Sequence, residues 1–315
     1  MDFLELLPHC TTDHQRAIVR FLDKHDGDRN ATCQYFGLFN TNLNRIIRKL
    51  TKKHNELETC KKDNPDIVVI ADTQVDLDSP TSHLYALSKY IWKHKPSHVV
   101  HIGDHWDFPS LSSYASRLHS EGKRLTDDLS GGFDAFRLIM AHVNKMNRKT
   151  GCNYSPNRAF LMGNHENRLN RFISEHPVLH GCFDLEEFVR SEGWSFHKMN
   201  EPVWIHDICF SHYMENPMSG RPVGGSMENK LNKFPHSFVH GHQQQYQYAR
   251  RQNLMGKPHF GVCAGSFYMH DEDYRGANNT EIRGFTHLRG FTNRYGHLDH
   301  DVEFVSLERL LENYA

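Results

Sequence analysis

The apolar positions change period partway along the chain. Between Thr11 and Glu58 they recur at helical spacing. Ile18, Val19, Phe21 and Leu22 mark one helix behind a Thr11-Thr12 cap, and Leu43, Ile46, Ile47 and Leu50 mark another from about Asn40. Asp26-Gly27-Asp28 breaks the first, and a short segment from Arg29 to Phe36 stops at Gly37. Beyond the polar, proline-ended stretch Lys61 to Pro65, strands and helices alternate. Ile67 to Ile70 reads as a buried strand, Leu84 to His94 as a helix, and His98 to Ile102 as a second strand. A long helix from about Gly132 to Met146, a strand from Arg158 to Met162 and a helix opening near His165 follow. After Trp194 come shorter strands: Val203 to His206, Ile208 to Ser211, Ser237 to His240, Tyr246 to Arg250, Phe260 to Ala264 and Val302 to Leu307. The order predicts a helical domain over 1–62 and a mixed-sheet α/β domain over 66–315.

Composition narrows the classes. Of 315 residues, 38% are hydrophobic and 24% charged, enough apolar material for a sizeable core. Lys+Arg number 37 against 38 Asp+Glu, a net charge of -1, so any basic surface is local. No apolar run is long enough to span a membrane, and Met1 to Cys10 has neither the basic nor the apolar region of a signal peptide. A cytoplasmic protein without a membrane partner is expected. The seven cysteines are odd in number and form no CxxC pair, which predicts reduced thiols without a disulfide framework. Twenty-five histidines direct the search toward metal ligands. No P-loop, nucleophile elbow, dinucleotide fingerprint or Cys-ligated zinc pattern is present.

The helical region carries the local charge. Arg45 to Lys53 holds five basic residues in nine, and residues 11–63 hold 11 basic against 7 acidic side chains, a net of +4. A short helix, a glycine turn and a longer helix resemble a helix-turn-helix, with the small Cys33 four residues before Gly37. On that reading Asn40, Thr41, Asn44 and Arg45 enter a DNA major groove while Arg48 and Lys49 grip phosphates. A three-helix bundle with a solvated basic face, serving packing or oligomerisation, is the alternative.

The chemistry stands at the C-terminal ends of the strands, where open α/β sheets place ligands. The first strand is followed by Ala71-Asp72-Thr73-Gln74 and the second by Gly103-Asp104-His105-Trp106-Asp107. The third is followed by Gly163-Asn164-His165-Glu166, Ile208 to Ser211 by His212, and Ser237 to His240 by Gly241-His242-Gln243-Gln244. Five strand ends in order thus offer an oxygen or an imidazole. On these motifs the chain from Asp66 to Leu310 resembles the calcineurin-like metallophosphoesterases, whose ordered motifs are D-x-H, G-D-x-x-D, G-N-H-[DE], a strand-end H and G-H-x-H. A small helix-turn-helix before such a domain is similar to proteins encoded by tailed bacteriophages, which would put the chain in a host cytoplasm.

The resemblance implies a fold of two mixed β-sheets forming a sandwich flanked by helices, with two divalent metals at its edge. It implies Asp72 on the first metal, Asp104 bridging both, and Asn164, His212 and His242 on the second, with water activated for attack on phosphorus. It further implies His165 protonating the leaving oxygen, oriented by Asp107. The chain departs from the pattern twice, with Gln74 and Gln244 where the family has histidines. Both belong to the first metal, so that site becomes oxygen-only and favours Mn²⁺ or Mg²⁺ over Zn²⁺. Arg168, a turn beyond His165, is a candidate for binding substrate phosphate, with a structural ion pair as the alternative. His105, His240 and His270 lack ligand spacing and read as non-ligands, and Trp106 as packing. Arg250-Arg251 and Arg117 to Arg124 read as solvated faces or as edges of a nucleic-acid path. The expected activity is a phosphodiesterase or nuclease acting on DNA. A small-molecule or cyclic-nucleotide phosphodiesterase, and a DNA-binding adaptor with a vestigial metal site, are the alternatives.

Overall fold

The computed structural model describes residues 3–60, 65–112, 121–216, 218–252, 257–271, 282–294 and 296–315. Most of the stretch at 61–65, and the part of the expected basic edge at 117–120, lie outside them. The chain divides into two compact units, one of residues 1–63 with 145–154 and one of 64–144 with 155–315.

The first unit opens on a 3-10 helix, Phe3–His9, followed by α1 (Asp13–Lys24), α2 (Arg29–Phe36) and α3 (Asn40–Cys60). The Thr12 hydroxyl accepts from the amide of Gln15 at 3.2 Å, which caps α1. Asp28 caps α2 in the same way, and Gly37 ends that helix in the left-handed region at φ 62°. Ile18, Leu22, Leu43 and Ile47 bury their side chains together, with Cys33, Phe36 and Leu38 packed on them. Asn40, Thr41, Asn44, Arg45, Arg48 and Lys49 fall on the opposite arc of α3, and all six are exposed. Cys152 is disulfide-bonded, which corrects the expectation of reduced thiols throughout. Spacing in sequence carries no information on which cysteines meet in space.

The second unit is mixed α/β with two mixed sheets. The first sheet has the order β11-β10-β1-β2-β3-β4. In it β1 (Ile67–Ile70), β2 (His98–His101), β3 (Asn157–Leu161) and β4 (Ser195–His197) run parallel, while β10 (Gly284–Thr292) and β11 (Leu298–Ser306) pair antiparallel on one side. The second has the order β5-β6-β7-β9-β8. Its parallel centre is β6 (Ile208–Ser211), β7 (Ser237–His240) and β9 (Pro258–Ala264), edged by β5 (Val203–Ile205) and β8 (Tyr246–Gln252). The sheets touch where Tyr246 of β8 meets Phe304 of β11, ring centroids 4.3 Å apart. Every residue of β1 is buried, as a parallel strand covered on both faces requires.

The helices are α4 (Ser82–His94), α5 (Leu125–Thr150), α6 (Glu166–Glu175), α7 (Leu185–Ser191), α8 (Met227–Lys233) and α9 (Leu307–Tyr314). The sequence reading starts α5 at about Gly132, whereas the helix begins seven residues earlier, at Leu125. Gly132 is there because a Cβ would fall inside the Trp106 indole, so the glycine admits the ring rather than ending the helix. The strands β4 and β10 and the helices α7, α8 and α9 are additions to the pattern read from sequence. Among the described residues, no helix is long and apolar enough to cross a membrane.

Candidate metal centre

Five strand ends deliver side chains to one place. Asp72 and Gln74 follow β1, Asp104 and Asp107 follow β2, Asn164 and His165 follow β3, His212 follows β6, and His242 and Gln244 follow β7. The turns are sharp. Gln74, Asp104, His242 and Gln244 all have positive φ, from 40° to 67°, a region that non-glycine residues seldom occupy and that gathers at functional sites. Backbone bonds stitch the turns together. The amides of Thr73 and Gln74 donate to Asp104 O at 3.0 and 2.9 Å, Gly241 N to His212 O at 2.9 Å, and Phe267 N to Asp72 O at 2.7 Å. Gly163 has no side chain because one would collide with the Asp104 carboxylate.

One ligand atom each from Asp104, His212 and His242 lies within 4.8 Å of the others. His212 Nδ1 faces Ile102 O at 2.8 Å, which leaves Nε2 directed at two oxygens, Asp104 Oδ2 at 3.3 Å and Asn164 Oδ1 at 2.9 Å. A nitrogen lone pair facing a carboxylate and an amide oxygen needs a proton or a cation between them. Asn164 Oδ1 also lies 2.7 Å from His242 Nδ1, and the His242 amide donates to Asp72 Oδ1 at 3.2 Å. The sequence-predicted ligands Asp72, Asp104, Asn164, His212 and His242 therefore form one continuous cluster.

The donor set fits divalent cations. Asp72 Oδ2 and Gln74 Oε1 are buried without a hydrogen-bond partner, and so is the hydroxyl of Ser266, whose backbone bridges to Asp72. Buried oxygens left in this state are costly unless something positive meets them. Gln244 is different: its Oε1 accepts from the Tyr268 hydroxyl at 3.2 Å, so a protein donor already meets it. Burial and the neighbouring Asp104 push the Asp72 carboxyl up to about 7. For Asp104 the burial penalty is outweighed by His212 and His165, which hold it well below the usual carboxylate range.

His165 sits beside the cluster. Its backbone N–H donates to Asp104 Oδ1 at 2.9 Å, and its Nδ1 lies 2.8 Å from Asp107 Oδ1. Burial disfavours its charge, but Asp104 and Asp107 prevail and raise it to about 9. Arg168 donates to Asp107 O at 2.7 Å and places Nη2 3.1 Å from His165 Nε2. The Gln74 amide nitrogen approaches the same Nε2 at 3.4 Å. Asn164, His242, Asp107 and Arg168 are half-buried and form the open side, whereas Asp72, Gln74 and Asp104 lie beneath.

No protein-family model matches the chain, and no curated protein matches its sequence. Among solved structures it is similar to Vps29 of Chaetomium thermophilum, with a TM-score of 0.32 and 13% identity over 76% of this chain and 95% of that one. It is similar also to that protein complexed with the RaPID-derived cyclic peptide RT-D3, with a TM-score of 0.32 and 13% identity over 78% and 98%.

The remaining histidines near the cluster have protein partners. His105 Nδ1 meets the Thr73 hydroxyl at 2.8 Å and Nε2 meets Gly132 O at 3.0 Å, while His240 lies between Gly241 O and Lys230. His270 stacks on Tyr268, ring centroids 4.7 Å apart. Sequence reasoning assigned no role to Glu166. Its buried carboxylate accepts from the amides of Asp104, His105, Trp106 and Gly163 at 2.6–3.0 Å, tying the turn after β2 to the turn after β3. The residue was visible in the G-N-H-[DE] motif, but its partners were not.

Proposed function

We propose that the chain is a metal-dependent phosphoesterase of the calcineurin-like kind, hydrolysing a phosphodiester of DNA. The observation that carries this reading is the convergence of Asp104, His212 and His242 beside the unpartnered Oδ2 of Asp72. Asp104, Asn164, His212 and His242 would hold one divalent ion. Asp72, Gln74 and Asp104, with Gln244 if Tyr268 yields its oxygen, would hold a second, whose oxygen ligands suit Mn²⁺ or Mg²⁺ over Zn²⁺. Bound there, the ions would supply charge neutralisation at phosphate and a more acidic water.

The chain's own groups do the rest. Asp107 keeps the Nδ1 proton of His165 in place and turns Nε2 toward the cluster, where it delivers a proton to the leaving oxygen. Arg168 rests on that nitrogen without substrate. A phosphate oxygen is a stronger partner for a guanidinium than imidazole is, so substrate draws Arg168 onto itself and frees Nε2 to take up from solvent the proton that it then delivers, an uptake favoured by the ring's raised pKa of about 9. With Mn²⁺ and bis-p-nitrophenyl phosphate, Asp104→Asn and His165→Ala are each expected to lower kcat/KM at least about a hundredfold. Undiminished turnover in both variants, or none in the parent with any divalent ion, overturns the assignment.

The choice of DNA is supported by the exposed arc of α3 with Asn40, Thr41, Asn44, Arg45, Arg48 and Lys49. Binding to a DNA duplex is expected to weaken with salt. Replacing Arg45, Arg48 and Lys49 by alanine is expected to flatten that dependence by roughly 0.9 in log–log slope for each phosphate no longer neutralised. An affinity indifferent to salt and to these changes would point to a small phosphodiester substrate instead.

A further inference from the structure

Building on the metal centre proposed above, we infer that Lys230 is a positioning residue that holds His242 in the cluster. Lys230 is fully buried on α8, whose Met227 and Leu231 belong to an apolar group with Phe238 and Cys263. An ammonium removed from water needs compensation, ordinarily a carboxylate, and among the described residues none pairs with it. Its Nζ instead lies 3.0 Å from His240 Nε2 and donates to Gln243 Oε1 at 2.6 Å. His240 ends β7 and Gln243 follows His242 on the turn beyond it, so the two partners bracket His242.

That turn is not one the backbone adopts unaided. His242 and Gln244 are left-handed at φ 67° and 55°, and Gln243 lies between them. Its amide donates to Gly241 O at 2.8 Å, and its side chain is fastened to the ammonium, so Gln243 is held at both ends. Fixing the middle residue fixes both unfavourable neighbours and presents His242 Nδ1 to Asn164. Lysine suits the task because several donors on one nitrogen serve two acceptors at the end of a long apolar stem.

Amide hydrogen exchange in the full, cation-free chain tests this. The Gly241 and His242 amides, bonded to His212 O and Asp72 Oδ1, report on the turn, and Val239 within β7 reports on the sheet. Lys230→Met and Gln243→Leu are each expected to speed exchange at Gly241 and His242 at least about tenfold and leave Val239 unchanged. Gln243→Glu, which keeps the acceptor, retains protection. Unchanged exchange in Gln243→Leu, or equal losses in Gln243→Leu and Gln243→Glu, overturns the inference even if Lys230→Met does not fold. Mn²⁺ affinity, read by electron paramagnetic resonance, is expected to fall about tenfold in Gln243→Leu. An unchanged affinity overturns the link to His242. A parent that binds no Mn²⁺ sinks the metal reading, while the exchange result still decides the role of Lys230.

Discussion

Glu166 is fully buried and gives its carboxylate to four backbone amides. Replacing it by glutamine turns one acceptor oxygen into a donor that faces an amide N–H, so at least one buried N–H loses its partner. Glu166→Gln is expected to cost roughly 2–4 kcal/mol in urea unfolding. A loss below about 1 kcal/mol would mean that the turns do not depend on this carboxylate. The residues that were legible in the sequence are those whose type and order suffice: Asp72, Asp104, Asn164, His212 and His242 each follow a strand. The residues that were not are those defined by a distant partner. Nothing near Gln244 announces that its oxygen accepts from Tyr268, and nothing near Lys230 announces that a buried ammonium reaches Gln243.

At the level of elements, the readable strands are the short apolar ones that a sheet covers on both faces. Ile67–Ile70 is buried throughout, and an unbroken apolar quartet between polar turns carries that message locally. Strand β10 carries no such message. Gly284 to Thr292 includes two glycines, an arginine and a histidine, and becomes a strand because β1 and β11 supply hydrogen-bond partners on both sides. Helix α5 runs seven residues further toward the N-terminus than the sequence reading begins it, and Gly132 lies inside it as a packing requirement of the Trp106 indole. Tertiary context thus overrides local preference in both elements.

For the molecule as a whole, buried neutral imidazoles tie folding to pH. His83 is buried, with Nε2 on Phe267 O at 2.9 Å, and burial lowers its pKa to about 4 from an ordinary 6.5. The unfolded chain therefore takes up this proton before the folded one does. The stability this group contributes is complete above pH 6.5 and drains away as pH falls toward 4. Between those limits the parent is expected to lose about 2–3 kcal/mol more than His83→Gln, compared by denaturant unfolding with divalent ions absent. Equal losses in the two proteins would show that His83 does not titrate as its surroundings require.

The stitching of the turns has a further consequence. Asp104, Asp72 and His212 are joined through main-chain amides and carbonyls, and through Glu166, rather than only through the atoms that would grip an ion. Shape at this corner is then inherited from the chain itself, so ions held there, as proposed above, would come and go like coins in a cut slot. Scarcity of metal would silence such a centre without dismantling it, and its return would restore the centre without refolding.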